Sequence, residues 1–282
     1  EPANLGRVLA AIGETFGVSP GAEVTAEANP EDLDDGRLSA LAGLGVTRLS
    51  VGVQSLEDEE LEPLERRHDA AAALEAVRRA LLLGLRVSAD LMIGIPGQTR
   101  ESLRRSLEAV LSSGVGHVSV YLLEIEKAPR LVAMREAAPG LFAGDDEMAA
   151  RWEEVDDLCT AGGLPRYETS NWAKPGEESR HNLKYWRRDP VVAFGVSAAS
   201  FDGIVRRVNS GSIPSYLRSV GQSGTAFVSR EALPPEAALR EGVLLGLRLA
   251  AGVQVEAFEA ALATLPSSDR RRMEDVFEAG LL

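Results

Sequence analysis

Cysteine is nearly absent: the 282-residue chain has one, alongside three histidines, and only 5% of its residues are aromatic. A single cysteine excludes an internal disulfide framework, a CxxC metal site and a self-contained iron–sulfur cluster, each of which takes several thiolates. Positive charge is also in deficit. Thirty basic residues stand against 43 acidic ones, a formal charge of −13. That argues against nucleic acid as a partner, because binding its backbone needs a basic face. Apolar runs such as residues 80–85 and 243–247 are far short of a membrane span, and nothing reads as a targeting segment. Cytoplasm is therefore the default compartment. The chain opens at Glu1 without methionine and stops in mid-pattern at Ala279-Gly280-Leu281-Leu282, so it reads as cut at both ends.

What is present has the composition of a soluble globular protein, 45% apolar and 26% charged. The length fits one large α/β barrel or one to two ordinary domains. A strand-then-helix rhythm fills the first two-thirds. Residues 23–27 alternate like a strand, and 32–44 follow with Leu33, Leu38, Leu41 and Leu44 near helical spacing. Strand 48–53 precedes helix 69–84, for which Asp69 is a plausible N-cap and Gly84 a stop. Strand 86–92 leads through Gly94-Ile95-Pro96-Gly97 into helix 99–113, and strand 117–123 ends the series. Alternation of this kind means a parallel sheet, either a barrel or a doubly wound one. Ahead of it, residues 4–16 read as a helix with Leu5, Val8, Leu9, Ile12 and Phe16 inward. Beyond it come a helix at 145–161 that places Cys159 in a core, a turn-rich stretch to about Gly211, and helices at 235–250 and 255–265.

Polar residues gather where a barrel keeps its chemistry, at the C-terminal ends of the strands. Glu27 and Asn29 close the first strand, Gln54 the second and Glu124 the fourth, while Asp90 lies among aliphatic neighbours in the third. A carboxylate in such company costs several kcal/mol unless it is paired. Any one of these residues could be a solvated cap; together they point to a ligand pocket. Arg66, Arg67 and His68 could meet a carboxylate ligand or form a solvated charge run. His117 sits at the N-terminal end of its strand, the stability face of a barrel, and is assigned no chemistry.

A second informative stretch is residues 166–188. It holds Tyr167, Trp172, Tyr185 and Trp186, with six basic residues against three acidic, and His181 between Arg180 and Asn182. Flat aromatics, a cationic rim and an imidazole suit a large planar acid whose metal the imidazole could bind. A well-packed aromatic loop with a structural histidine is the bland alternative.

The motifs Glu27-Ala28-Asn29-Pro30, Ser50-Val51-Gly52-Val53-Gln54-Ser55, Arg66-Arg67-His68, residues 90–99 (DLMIGIPGQT), Tyr167-Glu168-Thr169-Ser170 and His181-Asn182-Leu183-Lys184-Tyr185-Trp186 occur in that order. Together they resemble the radical-SAM haem chaperones of the HemW type, close relatives of oxygen-independent coproporphyrinogen III oxidase. The resemblance runs to the C-terminal Leu244-Leu245-Gly246-Leu247-Arg248-Leu249. It implies an α/β fold: a partial, open (β/α)6 barrel, here lacking its first strand or strands, followed by a smaller α-rich domain. On this reading residues 1–165 form the barrel, 166–225 the aromatic and basic segment, and 226–282 the start of the helical domain.

By the same resemblance Glu27, Gln54, Arg66 and Asp90 fall on positions that hold S-adenosylmethionine. His181, Asn182, Tyr185 and Trp186 match the HNxxYW pattern proposed to bind haem, with His181 the candidate iron ligand. Residues 195–200 align with a GxGAHS-like stretch but carry Ala199 where many relatives have histidine. The cofactors implied are S-adenosylmethionine and a [4Fe–4S] cluster, whose CxxxCxxC loop is expected upstream of Glu1. Haem, haem-acceptor proteins and a homodimer are the implied partners. Competing expectations are a radical enzyme decarboxylating porphyrinogen propionates, and a cluster-free relative that keeps the barrel as a binding module.

Overall fold

The structure is a computed structural model and describes residues 2–278; Glu1 and residues 279–282, where the sequence reads as cut, lie outside the described residues. The chain divides into two compact units between Glu178 and Ser179.

The first unit is built on a six-stranded sheet. Strands β1 (Thr25–Ala28), β2 (Arg48–Gln54), β3 (Arg86–Ile93) and β4 (His117–Leu122) are parallel neighbours. Short strands β5 (Arg166–Glu168) and β6 (Asn171–Ala173) form a hairpin, and β6 pairs antiparallel with β4 at its edge. The expected α/β unit with a mostly parallel sheet is present. Its connecting helices start and stop where the local chemistry directs. Asp69 caps Ala70–Leu82 by accepting from the Ala72 N–H at 2.7 Å, and Gly84 takes the left-handed turn after it at φ +78°. Thr99 and Ser102 form a reciprocal capping box on Arg100–Ser112.

Successive strand residues face opposite ways, and the sheet uses this fully. Leu49, Val51 and Val53 of β2, Val87, Ala89, Leu91 and Ile93 of β3, and Val118 and Val120 of β4 join one buried apolar cluster. Helix residues Ala73, Ala76, Val77, Leu103, Leu107 and Val110 pack into it, as do Val155 and Cys159 from helix Asp145–Ala161. Cys159 is fully buried, and burial followed by the charge of Asp156 pushes its thiol up to about 12. It is the inert core residue expected of it.

One expectation fails. Helix Pro2–Phe16 buries none of its residues, and Val8 and Phe16 are exposed. Leu5, Leu9 and Ile12 of its apolar stripe are half-buried, and it packs against helix Asp35–Gly43 and the adjoining Leu44.

The second unit opens on helix Arg180–Trp186 and contains an antiparallel three-stranded sheet of β7 (Ala199–Phe201), β8 (Val205–Asn209) and β9 (Phe227–Ala232). Helices Ile213–Ser223, Pro235–Gly246, Val255–Ala263 and Ser267–Glu278 complete it. The sequence reads much of this stretch as turns. Strand β7 has three residues and every residue of β9 is exposed, so burial imposes no alternation that a sequence could display.

Candidate functional site

The face of the first sheet opposite the core is polar. In register across it run Glu27, Ser50, Ser88 and His117, and one step further along lie Asp90 and Ser119. At the C-terminal ends of β1–β3 this face opens into a cavity of about 270 Å³ lined by Glu27, Ala28, Asn29, Ser50, Gly52, Gln54 and Asp90. The pocket thus brings together three of the expected residues, Glu27, Gln54 and Asp90. Gln54 bends the strand: it holds a left-handed φ of +65°, where the pairing of β2 with β3 shifts. Gly52 makes room for that bend, since a Cβ there would sit 2.7 Å from Gln54 Nε2 and 3.3 Å from Asn29 Oδ1.

Arg66, the fourth expected residue, reaches the same place through Asn29. Its Nη1 donates to Asn29 Oδ1 at 3.0 Å, while its Nε is buried with no partner. Arg66 itself is not among the residues that line the cavity. The neighbouring Arg67 and His68 are tied to Glu31. His68 is buried between Glu31 Oε2 at 3.0 Å and the Val53 carbonyl at 3.2 Å, and Arg67 pairs with Glu31 at 3.3 Å. Against the upward push of burial, its own backbone N–H, His68 and Arg67 hold the Glu31 carboxyl below its usual range. The Gly94-Ile95-Pro96-Gly97 turn is likewise pinned. Gln98 accepts from the Gly94 N–H at 2.9 Å and donates to the Met92 carbonyl at 3.0 Å. Glu124 lies outside the cavity lining, exposed and paired with Lys127.

Asp90 is the electrostatic centre. Ser50 Oγ donates to its two oxygens at 3.0 and 2.8 Å, and Ser88 Oγ lies 3.1 Å from Oδ1. Burial raises its carboxyl above the ordinary value of 3.8, opposed by hydrogen bonds from Ser50, Ser119 and Ser88 and by the charge of Arg48. Ser50, Ser88 and Ser119 escape a reading of the sequence by single residues. Their signal is a shared pattern, a basic residue, an aliphatic, serine, then a small aliphatic, in Arg48-Leu49-Ser50-Val51, Arg86-Val87-Ser88-Ala89 and His117-Val118-Ser119-Val120.

Residues 166–188 do not form one surface. Trp172 is fully buried in the first unit, its ring 5.5 Å from Trp152 and its Nε1 donating to Asp156 at 2.7 Å. Tyr167 also belongs to that unit, with its hydroxyl 2.9 Å from His117 Nε2. The remainder of the aromatic motif opens the second unit. On helix Arg180–Trp186, Ser179 caps by accepting from the Asn182 N–H, and His181 and Tyr185, one turn apart, meet edge-on at 4.9 Å with both side chains exposed. Trp186 is half-buried with the Arg248 guanidinium 5.2 Å over its ring, and its buried Nε1 has no hydrogen-bond partner. Tyr185 also edges a cavity of about 70 Å³ with Arg188, Phe201 and Arg206.

Among the described residues no three His, Cys, Asp or Glu side chains are placed to hold a metal ion, and the single cysteine is in the core. This donor set does not fit a [4Fe–4S] cluster. The lining of the pocket suits a zwitterionic nucleoside: the carboxylates of Glu27 and Asp90 for ammonium or ribose hydroxyls, and the amides of Asn29 and Gln54 for further hydrogen bonds. No helix among the described residues is long and apolar enough to cross a membrane.

Comparison with known proteins bears on the family and the fold. The model of the Radical SAM superfamily matches residues 4–110. A protein of Bacillus subtilis named heme chaperone HemW is 34% identical over 92% of this chain and 69% of its own length. One of the same name from Mycobacterium tuberculosis is 35% identical over 99% of this chain and 70% of its own. Among solved structures, coproporphyrinogen III oxidase (HemN) from Escherichia coli superposes with a TM-score of 0.76 at 22% identity, covering 88% of this chain and 60% of that one. That likeness establishes a shared fold.

Proposed function

The chain belongs to the HemW family of radical-SAM proteins, and from that premise we propose that it is a haem chaperone that delivers haem to acceptor proteins. Its cargo site is the exposed face of helix Arg180–Trp186. There His181 would offer a ring nitrogen to the iron, Tyr185 an aromatic edge, and the exposed Lys184 and Arg187 positive charge for propionates. Asn182 and Trp186 complete the motif, Asn182 by its place in the capped first turn and Trp186 as the platform beneath Arg248. The observation that carries this reading is the exposed His181–Tyr185 pair, in a chain about one-third identical to proteins named haem chaperones.

The pocket of the first unit is the proposed seat of S-adenosylmethionine. Glu27 and Asp90 would accept hydrogen bonds from its ammonium and ribose hydroxyls, Gln54 would orient it, and Arg66 would pair with its carboxylate. When bound, S-adenosylmethionine supplies a sulfonium and an adenosyl group. The residues of this chain bind and orient it. The proposed partners are haem, haem-acceptor proteins and a second copy of the chain.

Titration with haemin tests the cargo site. A Soret band that saturates with the wild-type chain and is lost in His181→Ala supports it; an unchanged band in that variant removes His181 as the ligand. The oxidase reading has its own measurement, since decarboxylation of coproporphyrinogen III by the intact, cluster-reconstituted protein with its expected CxxxCxxC loop would replace the chaperone reading with an enzymatic one.

A further inference from the structure

A polar hydrogen-bonded chain runs from Asp90 in the pocket lining to Tyr167. Ser88 Oγ is 3.1 Å from Asp90 Oδ1, 2.7 Å from His117 Nδ1 and 3.3 Å from Ser119 Oγ. His117 Nε2 is 2.9 Å from the Tyr167 hydroxyl. His117 is 1% exposed, and burial, then the charges of Arg48 and Arg86, hold its imidazole well below the ordinary value.

Proton counting gives this chain a direction. An ionised carboxylate only accepts, and a serine hydroxyl has one proton to give. If Ser88 donates to Asp90, its oxygen must accept from His117, which places the imidazole proton on Nδ1. Nε2 is then bare and must accept from Tyr167. Tyr167, His117, Ser88 and Asp90 thus line up with every donor aimed at the carboxylate.

We propose that His117 is a positioning residue: through Ser88 it fixes and keeps ionised the Asp90 carboxylate that receives hydrogen bonds from bound S-adenosylmethionine. This rests on the pocket reading above. A carboxylate that burial pushes toward protonation can hold ammonium or hydroxyl donors only if its neighbours favour the charged form. Ser50 supplies one such donor, and the chain from Tyr167 polarises another. The charged and titratable groups felt by these two residues are Arg48 and Arg86 at His117, Arg48 and Tyr121 at Asp90, and Glu27 and Glu168 by way of Tyr121.

Two measurements on the whole chain decide the matter. Long-range proton–nitrogen NMR of the three histidines should show His117 with a protonated Nδ1 and a bare Nε2; the reverse tautomer overturns the proposal. Calorimetric titration with S-adenosylmethionine, run on wild type and variant at each pH, should show the wild type keeping its affinity to lower pH than His117→Phe. His117→Phe should lose about tenfold at the acid end, in line with one hydrogen bond to a charged group, and recover toward the alkaline end. His117→Asn, whose amide can donate from near the Nδ1 position, should restore the wild-type profile. Loss equal at all pH values, or no loss, overturns the positioning role. The control is Arg66→Ala. If it weakens binding while His117→Phe does not, the role of His117 falls alone. If the wild-type chain takes up no S-adenosylmethionine, the pocket reading fails and this role falls with it.

Discussion

The two faces of the first sheet are made by the same strands and do opposite things. On one side Leu49, Val51, Val87, Leu91 and Val118 are packed beneath helices with almost no exposure. On the other, their immediate neighbours Ser50, Ser88, Asp90 and His117 form a hydrogen-bonded row under a cavity. An ordinary parallel sheet is covered on both faces and its strands are apolar throughout. Here one face carries the fold and the other the ligand chemistry. Asp90 and Leu91, adjacent in sequence, show the division most clearly.

Substitutions at these neighbours should therefore act with opposite sign. The largest effect belongs to Leu91→Ala, which removes a buried side chain from the core and should cost about 2–5 kcal/mol of stability by denaturant titration. Below its unfolding range it should still bind S-adenosylmethionine within about twofold of wild type, because it faces away from the pocket. Equal loss of stability and of affinity would erase the distinction between the faces.

Asp90→Asn is the converse and should abolish detectable binding. The folded protein raises this carboxyl above its ordinary value of 3.8, so the folded state holds the proton more tightly than the unfolded chain. Stability is then lost as pH rises from about 4 through the raised value. The variant escapes that loss and should melt higher than wild type at neutral pH, with the advantage closing as pH falls toward 4. A lower melting temperature at neutral pH would mean that Asp90 serves the fold.

Gly52→Ala tests the pocket floor. The added methyl displaces only the Gln54 amide and Asn29, so affinity should fall several-fold with stability almost unchanged. The smallest expected effect is none: Cys159, buried with its thiol pushed up to about 12, should resist a thiol-exchange reagent in the native chain and react on unfolding. Rapid native labelling would show that the apolar face opens.

Much of this was legible beforehand. Period-two strands, Asp69 and Gly84 at helix ends, and Glu27, Gln54 and Asp90 at strand ends needed only the sequence, because each is local chemistry at a fixed spacing. His117 shows where local reading stops. It lies at the start of its strand and reads as structural. Parallel register sets it opposite Ser88, two residues before Asp90 on the same face, and so joins it to the pocket. Residues 166–188 show the reverse case. Composition grouped four aromatics there, yet Trp172 is core, Tyr167 serves His117, and Tyr185 and Trp186 lie in the other unit.

By itself the sequence determined the strand–helix alternation, the residue types at the strand ends and the motifs that mark the family, since all are patterns along one chain. Only the tertiary structure decided which polar residues share a face, how Arg66 reaches the pocket through Asn29, and that Tyr167, His117, Ser88 and Asp90 form one hydrogen-bonded chain. Those depend on strand register and on contacts between residues as many as 50 positions apart, which no local pattern encodes.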